Sequence, residues 1–253
     1  MRQPKVLVFD IETAPIIASV WELFDQNVAV NQIVKDRHVI AWSAKWLDDP
    51  VSKVMYKDQR GRKNMEDDRA LLKPLWKLLD EADIVITQNG KRFDSRRLNA
   101  RFIQHGMPPP SPYKHIDTYL VARTVADFSS NKLEFLTNKL CKKYKKLQHK
   151  KFAGFKLWKE CLADNTAAWN EMKLYNIHDV LATEELYHVL KPWMSSTLPN
   201  PYVVDDMTKD CVKCGAKGSI NKRGFTYARN KRVQILRCRS CKRAFHGLAA
   251  KVS

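Results

Sequence analysis

No apolar run in these 253 residues approaches the ~18–20 residues of a membrane span. The N-terminus, Met1-Arg2-Gln3-Pro4-Lys5 and then a strand-like run, is not built as a signal peptide. The expectation is therefore a cytoplasmic protein with no membrane partner. Internal repeats, low-complexity tracts and methionine stripes are absent as well. Acidic side chains are in short supply, 27 against 45 lysines and arginines, for a net charge of +18. Residues 205–253 hold 13 basic and 3 acidic groups, or +10, which leaves +8 for residues 1–204. Such an excess points to an acidic partner, most simply nucleic acid, with plain solubility as the alternative.

What is present supports one sizeable domain and a small appendage. A body of roughly 195 residues buries about 70 % of its unfolded surface and needs no covalent staples. Lys5–Asp10, His38–Leu47 and Val51–Asp58 have the composition of strands, with a hairpin turn at Asp48-Asp49-Pro50. Asp67–Glu81 carries Leu71, Leu72, Leu75, Trp76, Leu78 and Leu79 at helical spacing. Asp83–Gln88 follows as a strand, and Asp94–His105 as a helix stopped by Gly106 and Pro108–Pro110. A short strand at His115–Thr118 precedes further helical segments, the last being Ala167–Leu190 with Asn165 as N-cap. Three early strands and then alternating helices and strands predict an α/β fold, a mixed sheet flanked by helices. The expected domains are 1–194, a linker at 195–206, and a basic, cysteine-bearing module at 207–253.

Four acidic residues stand out. Asp10 and Glu12, two apart at the end of an apolar strand, point to one side. Without a cation they repel, and one tends to protonate; a divalent metal relieves this, although a solvated strand end would also tolerate the pair. Asp94 follows Asn89 and Phe93 at a strand-to-helix junction, where a plain N-cap is the alternative role. Tyr175 and Asp179, four apart on a helix, share a face that is otherwise simply solvated.

Taken together, these residues resemble the DEDD superfamily of 3′→5′ exonucleases, which have a ribonuclease-H-like fold. Asp10, Glu12 and Thr13 match its first motif, Asn89, Phe93 and Asp94 its second, Tyr175 and Asp179 its third. Tyrosine four residues before the last aspartate marks the tyrosine subclass; position 174 is Leu, where the histidine subclass places its histidine, and His178 fits neither pattern and is taken as structural or substrate-facing. Asp117-Thr-Tyr-Leu-Val-Ala-Arg123 and Ser130-Asn-Lys-Leu-Glu134 are similar to the segment that joins motifs two and three in the proofreading domains of family-B DNA polymerases. The resemblance covers residues 5–192 and implies a free-standing exonuclease with two Mg²⁺ or Mn²⁺ ions, in the host cytoplasm if virus-encoded. It further implies that Asp10, Glu12 and Asp179 hold the water-activating metal, with Asp10 bridging to the second and Asp94 acting through a water. By the same resemblance Tyr175 orients the attacking water, Thr13 and Phe93 shape the terminal-nucleotide pocket, and Asn89 joins them in substrate binding. DNA, as single strands or 3′ ends, is the expected substrate. RNA trimming, structure-selective endonuclease cleavage and a non-catalytic nucleic-acid adaptor are the alternatives.

Of six cysteines, four form Cys211-Val-Lys-Cys214 and Cys238-Arg-Ser-Cys241 with 23 residues between the pairs. Two such knuckles predict one closed, structural Zn²⁺ site in a zinc ribbon, rather than two disulfides or a redox dithiol. Gly224–Arg229 and Val233–Arg237 read as its hairpin, and His246 as a surface histidine. The run Arg232–Phe245 resembles DNA-binding ribbons of some transposases, so phosphate contact is the simplest role, with protein docking as the alternative. Lys139–Lys159 mixes nine lysines with Tyr144, Phe152, Phe155 and Trp158, which suits either a single-strand track or a solvated helix face. Trp42, Trp46, Trp76, Trp169 and Trp193 are expected in the core, and Cys141 and Cys161 as packing.

Overall fold

A computed structural model gives the fold of residues 3–147, 151–194, 206–228 and 231–249. The chain divides into two compact units, Lys5–Tyr187, and Met1–Pro4 with His188–Ser253. All but Asp206 of the expected linker lies outside the described residues.

The larger unit is built on β1 (Val6–Thr13), a β-branched and aromatic run that occupies the centre of a five-stranded sheet. A two-stranded arm follows, β2 (Ile17–Ala18) and β3 (Ile33–Lys35), and then β4 (Val39–Trp46) and β5 (Met55–Asp58). Val51–Lys53, expected as strand, forms a 3₁₀ turn because Pro50 supplies the preceding carbonyl for a turn hydrogen bond. The chain continues through α1 (Arg69–Glu81), β6 (Ile84–Thr87), α2 (Asp94–Gln104), β7 (Lys114–Asp117), α3 (Thr118–Val125), α4 (Leu133–Leu140), α5 (Lys156–Leu162) and α6 (Thr166–Leu190). Sheet order is β5-β4-β1-β6-β7, with the first pairs antiparallel and β1, β6 and β7 parallel. Asn165 does cap α6, its Oδ1 accepting from the Ala167 N–H at 3.0 Å.

One face of the sheet packs Leu7, Phe9 and Ile11 against Leu71, Leu72, Leu75 and Leu79 of α1 and Leu98 and Phe102 of α2. Each fully buried leucine there stabilises the fold by roughly 1.5–3 kcal/mol. The other face packs Ile40 and Ala41 against Leu157 of α5 and Trp169, Met172 and Tyr175 of α6. Trp42 and Trp169 are core residues and Trp46 and Trp76 are partly buried, but Trp193 is 67 % exposed, against expectation. It ends a 3₁₀ turn that begins at Lys191 rather than standing on a helix face. Cys141 and Cys161 are buried, as packing requires. The 17–34 arm differs from the rest, since Trp21, Leu23 and Phe24 all stand in solvent.

In the smaller unit β8 (Ile220–Ala228), β9 (Lys231–Cys238) and β10 (Ala244–Ala249) form an antiparallel sheet in the order β10-β9-β8. The expected hairpin is present, extended by a third strand.

Candidate functional site

Period-two alternation along β1 decides where its carboxylates go. Leu7, Phe9 and Ile11 face α1 and α2, so Asp10 and Glu12 face the opposite side, under α6. There, Tyr175 and Asn176 stand four and three residues before Asp179 on α6. One carboxylate oxygen each from Asp10, Glu12 and Asp179 lies within 4.8 Å of the others. Asp10 Oδ2 accepts from Asn176 Nδ2 at 2.6 Å, and Ser43, opposite Asp10 in the β1–β4 register, donates to the Asn176 carbonyl at 2.7 Å. Glu12 Oε2 accepts from Trp158 Nε1 at 3.2 Å. Asp179 Oδ2 is paired with Lys146 Nζ at 3.0 Å.

Asp94 stands beside this trio rather than within it. Phe93, not Asp94, is the N-cap of α2, so the plain capping role does not hold. Asp94 is instead the first helical residue, 2 % exposed, and its Oδ1 accepts the Ile11 N–H of β1 at 3.1 Å. The turn before it is tightly specified. Asn89 adopts a left-handed φ of 61°, and the Asp117 carboxylate accepts from the N–H groups of Asn89 at 2.8 Å and Lys91 at 3.1 Å. A Cβ on Gly90 would fall 2.2 Å from Thr87 Oγ1, so this position takes glycine only. Asp117 also caps α3 through the Tyr119 N–H, so one buried carboxylate sets two elements.

The electrostatics are those of too many buried negative charges. Burial, and then Asp179, push the Glu12 carboxyl up to about 8. Burial raises Asp94 to about 7 even though the Ile11 N–H opposes it. Asp10 is held well above the carboxylate range by burial and then by Asp94 and Glu12. Burial works to lower the Lys146 ammonium, but Asp179 and then Tyr175 outweigh it, and its pKa ends above the ordinary lysine value. One ammonium against four carboxylates leaves a site that takes up either protons or cations. The donors are oxygens, buried and convergent, which suits hard divalent ions.

Thr13, Asn89 and Phe93, the residues expected at the substrate, together line a cavity of about 570 Å³. Thr13 also lines a neighbouring cleft of about 680 Å³ with Phe155 and Trp158. His178 stands edge-on to Tyr144 with ring centroids 6.1 Å apart. The lysine-rich segment divides: Phe152 is core, Phe155 is exposed, and Lys146 and Trp158 reach the acidic cluster. Glu185 of α6 accepts the N–H groups of Lys142, Lys143 and Tyr144, which anchors the stretch that brings Lys146 to Asp179. Lys146, Trp158 and Asn176 are site residues that sequence reasoning did not assign. For Lys146 and Trp158 the interleaving of aromatics and lysines was the signal, which does not say which side chains turn inward; for Asn176 it was its place three residues before Asp179 on one helix.

A second convergence lies in the smaller unit. The Sγ atoms of Cys211, Cys214, Cys238 and Cys241 are all within 4.8 Å of one another, and none is disulfide-bonded. The Lys213 N–H donates to Cys211 Sγ, and the Ser240 and Cys241 N–H groups to Cys238 Sγ. Burial opposes ionisation of Cys238, but Ser219 and these N–H donors bring its thiol down to about 6. His246 is exposed and outside the cluster.

No curated protein matches the sequence. Among solved structures, the chain is similar to the family B DNA polymerase from the hyperthermophilic archaeon Pyrobaculum calidifontis, with a TM-score of 0.53 and 16 % sequence identity. That match covers 76 % of this chain and 25 % of the polymerase, so the chain spans about a quarter of the polymerase's length and the likeness is one of fold. The sequence matches the RNase_H superfamily over residues 7–191, the stretch that holds the five-stranded sheet and every residue of the acidic cluster. By that match, the chain belongs to the RNase H superfamily.

Proposed function

We propose that the chain is a metal-dependent nuclease that removes nucleotides from the 3′ end of DNA, releasing nucleoside 5′-monophosphates. The observation that carries this reading is the convergence of Asp10, Glu12 and Asp179 under α6 with Asp94 beside them. Asp10, Glu12 and Asp179 would hold the divalent ions, Mg²⁺ or Mn²⁺, and Asp94 would support them from the α2 side. Such ions supply a nucleophile at neutral pH and screen the charge of the phosphodiester. In the net reaction water adds to phosphorus, the 3′-oxygen of the preceding nucleotide leaves, and that oxygen takes the proton.

The rest is done by the chain's own side chains. Burial, and then Asp179, hold the Tyr175 phenol above its ordinary pKa, so at neutral pH it remains a hydrogen-bond donor and not a base. Tyr175 therefore orients the attacking water, while Lys146, 4.8 Å from its ring centroid and paired with Asp179, fixes both. Asn176 holds the Asp10 rotamer and Trp158 that of Glu12. Thr13, Asn89 and Phe93 would bound the terminal nucleotide.

For the C-terminal module the proposal is one structural Zn²⁺. Four thiolates about 2.3 Å from a tetrahedral centre stand about 3.8 Å apart, and the Cys211–Cys241 and Cys214–Cys238 Sγ separations are 3.7 and 3.8 Å. The ribbon would hold nucleic acid through its basic side chains, with the catalytic body in 1–194.

The test is cleavage of matched DNA and RNA oligonucleotides labelled at the 5′ end, with Mg²⁺ or Mn²⁺, beside an Asp94→Ala control. The expected result is a metal-dependent ladder shortening stepwise from the 3′ end of DNA, lost in the variant. A ladder on RNA alone would shift the substrate, internal cuts would make it an endonuclease, and tight binding without cleavage would make it an adaptor.

A further inference from the structure

The lining of the 570 Å³ cavity is unusually basic. Arg92, Arg96, Arg97 and Arg101 come from α2 and the turn before it, and Arg37 from the segment that joins β3 to β4. Asp36 is the one acid in the lining. Arg101 is already neutralised, because its guanidinium is bonded to the buried Asp68 carboxylate at 2.9 Å. The other four arginines form no ion pair among the described residues. Four guanidinium groups without an ion pair among the described residues therefore share the lining with one carboxylate.

Such crowding works against folding, and burial together with nearby Arg37 depresses the half-buried Arg97 guanidinium. Arg97 also stands over the Phe93 ring, its guanidinium carbon 4.2 Å from the ring centroid. Planar donors fixed in this way match phosphate oxygens. Arg92, Arg96 and Arg97 lie at the start of α2, within roughly 7.5 Å of rise at 1.5 Å per residue. At the 3.4 Å per-strand rise of stacked nucleic acid, about two phosphates span that distance.

We infer that the groove formed by Arg37, Arg92, Arg96 and Arg97 binds the phosphodiester backbone of a polynucleotide strand just upstream of the terminal nucleotide. This rests on the nuclease reading above and adds to it a strand-holding subsite in the body. The subsite recognises phosphate and not bases, so it serves any sequence.

The test uses the full chain in Mn²⁺ and two substrates. One is a single-stranded oligonucleotide of about 20 nucleotides, long enough at 3.4 Å per residue to outreach the groove; the other is thymidine 5′-(p-nitrophenyl phosphate), which has only the ester to be cut. The Arg92→Gln/Arg96→Gln variant should lose about tenfold or more in kcat/KM on the oligonucleotide, mainly through KM. Its rate on the nitrophenyl ester should stay within about twofold of the parent. Metal-free binding of the oligonucleotide should lose about 1.4 from its log–log salt slope, at about 0.7 per lost phosphate contact on a single strand. Lys73→Gln/Lys77→Gln on the exposed side of α1 is the matched charge control. A KM and slope no different from that control would overturn the inference, and so would an equal loss on both substrates. Should the parent cleave neither substrate, the nuclease reading fails, while the salt slope still decides whether the groove binds the strand.

Discussion

The two metal-type centres of this chain are built in opposite ways. The acidic cluster sits on a sheet whose two faces each have their own apolar core, and its buried carboxylates oppose one another. The cysteine cluster sits in a three-stranded module where Val233 and Leu236 are the buried large aliphatic side chains among the described residues. A large core can tolerate a charge defect and keep it ready for a cation; a small module must draw its stability from the ion itself. Metal should therefore be a reactant's companion in the first centre and a structural member in the second.

Breaking that contrast most directly means removing a thiolate. Cys214→Ser should unfold the ribbon, since structural zinc contributes an apparent ~10–16 kcal/mol in comparable modules. Amide hydrogen exchange should then lose protection across 206–249 while the strands of 6–46 stay protected. Simultaneous loss in both regions would mean the body depends on the ribbon.

A smaller effect sharpens the first centre. Lys146→Met removes the ammonium from Asp179 without touching a carboxylate. A partner of this kind is worth roughly 10–100-fold in metal affinity or activity. The loss should appear in single-turnover cleavage, with the melting temperature in saturating Mn²⁺ changed little.

Smallest per unit of perturbation is the pH response of the metal-free body. Glu12 is about 8 when folded and near ~4.3 when unfolded. The folded state thus binds the proton more tightly. Its contribution is complete below about pH 4.3 and is lost as pH rises toward 8, with a slope of at most ~1.4 kcal/mol per pH unit. Thermal melts of the parent and Glu12→Gln in chelator should therefore diverge from pH 5 to 8, the variant being the more stable at the alkaline end. Saturating Mg²⁺ should close the gap.

How much of this was legible beforehand follows the range of the forces. Asp10 and Glu12 were readable as neighbours because strand alternation is local, and the α1 leucines because helical periodicity is. The arm at 17–34 was not, since β2 and β3 are two and three residues long and its apolar side chains are exposed rather than alternating. The third ribbon strand was missed for a similar reason, as Ala244–Ala249 holds His246 and Gly247 within it. Trp158 and Asn176 enter the site through packing of α5 and α6, and Lys146 through the segment that Glu185 anchors, tertiary contacts that no window of sequence records. The arginine groove was hidden more thoroughly, because Arg37 meets Arg97 across 60 positions of chain.

Helix α2 is fastened at both ends. Its first residue is tied to the central strand through the Ile11 N–H, and near its last turn Arg101 and His105 grip Asp68, which in turn holds the Val39 N–H. A rod pinned in this way cannot slide or turn, so the spacing between Asp94 and the arginines within a turn of it is fixed. One residue added directly after Asp94 would turn Arg96 and Arg97 by about 100° and shift them by about 1.5 Å, which displaces the grip while Asp94 stays in place.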